Sequence, residues 1–166
     1  AQGEYVPAEY LETCFSHSTL VAQIMVHGVS TESFVIALVV PSFEALADCD
    51  DLPRAARDEA RQCGADGRQA EEEYSAVAEH FCQTCTAAQE RIQRELETLA
   101  RGANLPHFQV PKRVVLVPGP WTVDNDLVTP TLKLKRPHVV ARYKELLDSA
   151  IAATAAEIEQ QQHKRA

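Results

Sequence analysis

Two apolar segments near the start of the chain predict a pair of β-strands. LVAQIMVHG (20–28) and SFVIALVVP (33–41) are rich in Val, Ile and Leu, and the turn-forming sequence Gly-Val-Ser-Thr-Glu connects them. β-Branched residues favour strands and a short polar connection favours a hairpin, so we predict an antiparallel pair. Both segments are too apolar for strict alternation, and we expect both to be buried on most of their length.

A third apolar segment, KRVVLVP (112–118), follows Pro111 and predicts one more strand. The elements then follow the order helix, strand, strand, helices, strand, loop, helix. This order is typical of an α+β fold. We predict a small, mainly antiparallel sheet of about three strands, flanked by helices.

Apolar residues at three- and four-residue spacing predict the helices. A first helix follows Pro7, a residue that suits the first helical turn, and ends near Ser16. A short helix is predicted from Pro53 to Cys63, a single long helix over about 70–101, and a last helix from Pro137. The apolar positions of the two long helices are Tyr74, Ala78, Phe81, Cys85, Ala88, Ile92, Leu96 and Leu99, then Val140, Tyr143, Leu147, Ile151 and Ile158.

Composition and charge favour a globular domain and disfavour nucleic-acid-binding and transmembrane proteins. Hydrophobic residues make up 45% and charged residues 24% of the 166 residues, a balance typical of a folded globular domain. The formal net charge of −8 disfavours general binding to nucleic acid. No apolar run reaches the roughly 18 to 20 residues of a transmembrane helix, and the N-terminus lacks a signal-peptide pattern. We expect a cytoplasmic protein and, because the first residue is Ala rather than Met, a segment of a longer chain.

The cysteine pattern favours free thiols over disulfides or metal. Cys14, Cys49, Cys63, Cys82 and Cys85 form an odd-numbered set without an export signal. Cys82 and Cys85 form a CxxC pair, but a structural zinc site usually needs two such pairs. This single pair lies within a predicted helix, with Cys85 on the apolar stripe. We interpret both as core residues and predict no metal site.

DNDLVTPTLKLKR (124–136) is a basic cluster in an acidic chain. Lys133, Lys135 and Arg136 follow Thr-Pro-Thr, in which Pro130 fixes its own φ and restricts the residue before it. A flexible ammonium on a stiff loop can stabilise negative charge on a transferring phosphoryl group. A lysine cluster is more commonly solvated surface, and the residues alone leave both interpretations open. The chain has no glycine-rich phosphate loop of its own, so most of any nucleotide site would lie elsewhere.

Three separated motifs occur together in one known protein family. They are GEYVPAEYLE, then LVAQIMVHGVSTESFVIALVVP, and last PWTVDNDLVTPT with LVTPTLKLKRP. In this order they resemble the glycine loop, the strand pair and the C-terminal signature of long-chain acyl-CoA synthetases (fatty acid–CoA ligases), in the adenylate-forming superfamily. The resemblance implies that residues 1–166 are the mobile C-terminal lid domain, that 49–104 are a helical insert, and that the large N-terminal domain is absent.

The resemblance also implies a reaction. Such enzymes use ATP and Mg²⁺ to convert a fatty acid into an acyl-adenylate and then transfer the acyl group to CoA. ATP, Mg²⁺ and fatty acid would be held mainly by the N-terminal domain of the same polypeptide, so the 166-residue chain alone is expected to be inactive.

Matching the motifs residue by residue implies the site. Lys133 falls on the catalytic adenylation lysine, and Gly3, Glu4 and Arg136 fall on substrate-binding positions, with the glycine loop lining the channel for the CoA thiol. The residues alone favour an ordinary turn before a helix at Gly3. Lys135 is the alternative active lysine if the register differs.

Two positions depart from the family pattern. Leu132 stands where many relatives have Gly, as is usual in the long-chain branch. Asp126 stands where that branch commonly has Gly, which bears on the geometry of the turn.

Two other functions fit the sequence. A non-catalytic interaction module could keep this fold and dock through its acidic insert, which includes Glu71-Glu72-Glu73. A related adenylate-forming enzyme could act on another acid, since the N-terminal domain of the family sets acyl-chain specificity. Organelle, membrane association of the full-length protein and oligomeric state are left open.

Overall fold

A three-stranded mixed sheet lies at the centre of the molecule in the computed structural model, which describes residues 6–65 and 71–165. The strands are β1 (Val21–Gly28), β2 (Val35–Pro41) and β3 (Val114–Leu116), with β2 in the middle. β1 pairs antiparallel with β2 from Val21↔Pro41 to Gly28↔Val35, which confirms the predicted hairpin. The short β3 runs parallel to β2, so the antiparallel ladder is the longer of the two.

Helices cover both faces of the sheet. The first face carries α1 (Ala8–Phe15), α2 (Phe43–Ala47), α3 (Arg54–Ala65), α4 (Glu71–Thr84) and α5 (Thr86–Gly102). The second carries α6 (Arg136–Arg142) and α7 (Lys144–Arg165), and a short 3₁₀ helix spans His107–Gln109. Parallel strands need a long crossover connection, and α2 to α5 supply it between β2 and β3. Within the described ranges no helix is long and apolar enough to cross a bilayer.

β2 is buried along its whole length because its alternate side chains enter two different cores. On one face, Val35, Ala37 and Val39 pack with Leu11, Phe15, Phe81, Ile92 and Leu96. On the other face, Phe34, Ile36, Leu38 and Val40 pack with Trp121, Leu127, Val128, Val139 and Leu147. The expectation of burial along most of the length is confirmed for β2, whereas β1 is buried only at Val21 and over 24–26.

The prediction of one continuous helix over 70–101 is wrong. The chain leaves the helical conformation at Cys85, whose ψ is 80°, and a new helix begins at Thr86. Thr84 Oγ1 donates to the carbonyl of His80 at 2.8 Å beside the break, although Thr98 makes the same bond to Arg94 within α5 without interrupting that helix. The apolar stripe persists across the break, since Ala78, Phe81, Ala88 and Ile92 are all buried.

The last predicted helix is also divided. α6 ends at Arg142, and Tyr143 (φ −112°, ψ 24°) separates it from α7. The Tyr143 hydroxyl lies 3.2 Å from Trp121 Nε1, which donates to it. This tertiary bond across the second core fixes the side chain at the junction.

Candidate functional site

The basic cluster lies on a small hairpin, residues 127–135, which we call the lysine hairpin. Val128 and Leu134 form an antiparallel bridge. On either side of it, the Thr129 amide donates to the Lys133 carbonyl at 2.8 Å and the Lys135 amide donates to the Leu127 carbonyl at 2.9 Å. One arm of the hairpin is fixed in the second core, since Leu127 and Val128 are buried.

A tight turn closes the tip of the lysine hairpin. The Leu132 amide donates to the Thr129 carbonyl at 2.8 Å, and Pro130 occupies the position of such a turn that suits its fixed φ. Thr129 Oγ1 accepts from the Lys133 amide at 3.1 Å and lies 3.0 Å from Thr131 Oγ1. Leu132 has φ 61°, the left-handed conformation that favours glycine, and its side chain is 77% exposed.

The three cations of this segment have different surroundings. Lys135 Nζ forms an ion pair with the Asp126 carboxylate. Arg136 forms an ion pair with Glu12. Lys133 is exposed, and its ammonium has no hydrogen-bond or ion-pair partner among residues 6–65 and 71–165. Within the described chain, Lys133 is therefore the cation of this segment that is free to meet an external anion.

Arg136 connects three elements of the fold. Its guanidinium donates to Glu12 Oε2 at 2.5 Å and to the Val26 carbonyl at 3.3 Å, while Glu12 Oε1 accepts from the Val26 amide at 2.7 Å. α6, α1 and β1 are joined through these bonds. Burial raises the pKa of the Glu12 carboxyl, and the hydrogen bond from Arg136 acts in the opposite direction.

The loop before the lysine hairpin is held by amide side chains that sequence analysis did not single out. Gln23 on β1 donates to the Trp121 carbonyl at 2.9 Å and accepts from the Trp121 amide at 2.7 Å. Asn125 Oδ1 accepts from the Thr122 amide at 2.9 Å, and its Nδ2 donates to the Pro120 carbonyl at 2.9 Å. The Thr-x-x-Asn spacing is a turn signal that could have found the second pair; nothing local marks the first.

Asp126 and His138 form a second contact that the sequence did not reveal. His138 Nδ1 lies 2.8 Å from Asp126 Oδ2 and 3.0 Å from the Asp126 carbonyl oxygen. Asp126 has φ 62°, so the position where the resemblance leads one to expect Gly does hold a left-handed residue. Asp tolerates that conformation better than most side chains.

Of the other predicted site residues, Gly3 and Glu4 lie outside the described residues. The described residues Val6 and Ala8 line a cleft of about 430 Å³. Its walls include His27, Phe34, Phe108 and Arg136. Burial, with the nearby Arg136 charge, lowers the pKa of His27, so its imidazole favours the neutral form.

The CxxC cysteines lie with Cys63 in and beside the first core. Cys63, Cys82 and Cys85 are free thiols. Burial raises the pKa of Cys63 to about 11 and that of Cys82 to about 12, so both thiols stay protonated and unreactive near neutral pH. Across the described residues, no group of three His, Cys, Asp or Glu side chains is placed to hold a metal ion.

Comparison with known proteins finds relatives among acyl-CoA synthetases and CoA ligases and one carboxylic acid reductase, although no protein-family model matches the chain. It is 36% identical over 148 residues to long chain acyl-CoA synthetase 2 of Arabidopsis thaliana, covering 89% of this chain and 19% of that protein. It is 35% identical over 136 residues to long-chain-fatty-acid–CoA ligase 5 of Mus musculus, covering 82% of this chain and 17% of that protein. The chain thus spans about a fifth of the length of the curated relatives it matches.

Solved structures agree with the fold. The adenylation domain of carboxylic acid reductase from Segniliparus rugosus, in complex with AMP and a co-purified carboxylic acid, matches with a TM-score of 0.65 and 29% identity, over 92% of this chain and 19% of that one. The corresponding domain from Mycobacterium chelonae matches with a TM-score of 0.65 and 28% identity, over the same shares of the two chains. The α+β architecture is that of a domain from adenylate-forming enzymes.

Proposed function

Since the chain is homologous to the C-terminal part of long-chain acyl-CoA synthetases, we propose that it is the mobile lid domain of an ATP-dependent long-chain fatty acid–CoA ligase. The observation that carries this proposal is the lysine hairpin. It presents the Lys133 ammonium, which has no partner in the described part of the chain, at a hydrogen-bonded tip, whereas Lys135 and Arg136 are bound to carboxylates of the same chain. In our proposal the N-terminal domain of the polypeptide holds ATP, Mg²⁺ and the fatty acid.

Lys133 has the charge that adenylate formation needs. When the fatty carboxylate attacks the α-phosphate of ATP and pyrophosphate leaves, negative charge spreads over the oxygens around the reacting phosphorus. A positioned ammonium stabilises that charge most strongly where a closing domain excludes water. In our proposal the lid brings Lys133 to these oxygens, and the paired Lys135 keeps the hairpin in place.

In our proposal the domain also takes part in the second half-reaction. The CoA thiol attacks the carbonyl carbon of the acyl-adenylate, forms the thioester and releases AMP. We propose that the 430 Å³ cleft, which Val6 and Ala8 line, borders the path of CoA, the role that the resemblance implies for Gly3 and Glu4. Arg136 lines the same cleft, so we propose that it adds a positive charge for substrate phosphate while paired with Glu12.

Substitution of Lys133 in the full-length enzyme tests the proposal. Removing one well-placed electrostatic group costs about 3 to 4 kcal/mol of barrier, so Lys133→Ala is expected to lower the rate of adenylate formation by about 10²- to 10³-fold. Thioester formation from preformed acyl-adenylate should be spared. Pyrophosphate release and acyl-CoA formation from the purified adenylate measure the two steps.

Two lysine variants serve as controls for this measurement. Lys144→Ala removes an exposed lysine of α7 that pairs with Asp148, and it should leave both steps unchanged. Lys135→Ala should lose much less adenylation than Lys133→Ala. A larger loss at Lys135 would assign the active ammonium to Lys135, and equal loss of both half-reactions in Lys133→Ala would contradict the role.

A further inference from the structure

Asp126 lies at the base of the lysine hairpin, and its side chain contacts two residues that follow the chain reversal. Its Oδ1 pairs with Lys135 Nζ, and its Oδ2 lies 2.8 Å from His138 Nδ1 in the first turns of α6. Asp126 itself precedes Leu127, whose carbonyl accepts from the Lys135 amide. One carboxylate therefore joins the start of the hairpin to its end and to the following helix.

The two arms of the hairpin are not held equally. The first arm is anchored by the buried side chains of Leu127 and Val128. The second arm, which carries Lys133, has Leu134 half-buried and Lys135 partly exposed. Among the described residues, the side-chain ion pair of this arm is the one from Lys135 to Asp126.

The carboxylate is in its charged form when it makes these contacts. The hydrogen bond from Lys135, with the positive charges of Lys135 and His138, lowers the pKa of Asp126. Its left-handed backbone, φ 62°, turns the chain as a glycine would at this position. Asp126 thus supplies both the turn and a charged group that glycine lacks.

From this geometry we propose that Asp126 is a positioning residue for Lys133: by holding Lys135 and His138 it fixes the arm that presents the Lys133 ammonium. The inference rests on the proposed function, in which Lys133 stabilises the adenylation transition state. Asp126 does not touch the reacting atoms in this proposal. It acts through the direction of the hairpin, and small misplacements of a catalytic group cost rate.

Two substitutions separate the carboxylate from the backbone turn. Asp126→Gly keeps the left-handed conformation and removes the side chain, and Asp126→Asn keeps a residue that tolerates this conformation while removing the charge. Asp124→Asn is the matched control, because Asp124 is an exposed acid of the same loop without a partner among the described residues. All three are made in the full-length enzyme.

We expect both Asp126 variants to lower kcat for adenylation by about three- to tenfold, with the KM for ATP and the thioester step within about twofold of the parent. Exposed ion pairs add little stability, so the unfolding midpoint should move by less than about 3 °C. Asp124→Asn should match the parent. Lys135→Met should reproduce part of the loss, and the double variant with Asp126→Asn should lose less than the product of the two single losses, because the two residues share one ion pair.

The inference and the proposed function fail in different ways. If Lys133→Ala abolishes adenylation while the Asp126 variants adenylate at the parental rate, the positioning role is wrong and the proposed function stands. The positioning role is also wrong if the Asp126 variants slow both half-reactions equally, or if Lys135→Met and Asp126→Asn act additively. If Lys133→Ala adenylates normally, the catalytic role of Lys133 and the positioning role that depends on it are both wrong.

Discussion

Around the candidate site, two non-glycine residues adopt the left-handed backbone conformation that usually favours glycine, whereas a nearby glycine does not. Asp126 and Leu132 hold left-handed conformations, which cost an L-residue about 1 to 2 kcal/mol. Gly119 has no positive φ and is needed instead for space. A Cβ at Gly119 would lie 2.5 Å from Val40 Cγ1 and 3.0 Å from Cγ2. The loop therefore passes too close to β2 for any side chain at that residue.

Gly119→Ala is expected to destabilise the fold by about 1 to 3 kcal/mol, because Val40 is buried in the second core and cannot move away freely. Chemical denaturation of the 166-residue chain measures the change. Gly102→Ala is the matched control, since a Cβ there would meet nothing within 4 Å and the residue ends α5. Equal stability of the two variants would contradict the close approach of the loop to β2.

At the scale of elements, the Arg136–Glu12 pair joins α6 to α1 and β1. Arg136→Met should cost about 2 kcal/mol, because it leaves a largely buried carboxylate without its cation. Burial already raises the pKa of Glu12 in the folded state, and loss of Arg136 should raise it further. A raised carboxyl pKa means that the folded state holds the proton more tightly, so stability falls as the pH rises through the folded pKa.

The destabilisation caused by Arg136→Met is expected to depend on pH through the protonation of Glu12. The destabilisation by Arg136→Met should be smaller near about pH 4.5, where Glu12 is protonated more readily, than near about pH 7.5. Urea midpoints of parent and variant at the two pH values measure it. In the Glu12→Gln background the effect of Arg136→Met should no longer change with pH; a constant effect in the single variant would rule out Glu12 as its cause.

At this scale, features that depend on residues close together in the sequence could be predicted, and features that depend on residues far apart could not. The strands, and the residues on the helix stripes, were predictable because a local apolar pattern encodes them. The breaks at Cys85 and Tyr143 were not, since the apolar stripe continues across the first and neither position carries the glycine or proline that would mark a helix end. At the site, the resemblance predicts the role of Lys133, whereas the partners of Arg136 and Gln23 lie 124 and 98 residues away, and only the folded chain brings them together.

At the scale of the whole molecule, the described residues provide a core for folding, and we predict that catalysis needs a further domain. Both faces of its sheet are covered, and two buried clusters account for its core. A chain of this size with its own core folds independently. Its candidate lysine, Lys133, is exposed at the tip of the lysine hairpin. In our proposal the ATP phosphates on which Lys133 acts are held by another domain.

We therefore expect the 166-residue chain to fold cooperatively yet to form no AMP from fatty acid, ATP and CoA. An adenylation transition state needs its phosphates held in place before one ammonium can lower the barrier. Thermal unfolding followed by circular dichroism tests the first part, and an AMP-release assay tests the second, with the full-length enzyme as positive control. Turnover by the isolated chain above that of its Lys133→Ala variant would show that the catalytic site is complete without a further domain. A chain that fails to unfold cooperatively would show that its two cores depend on that domain.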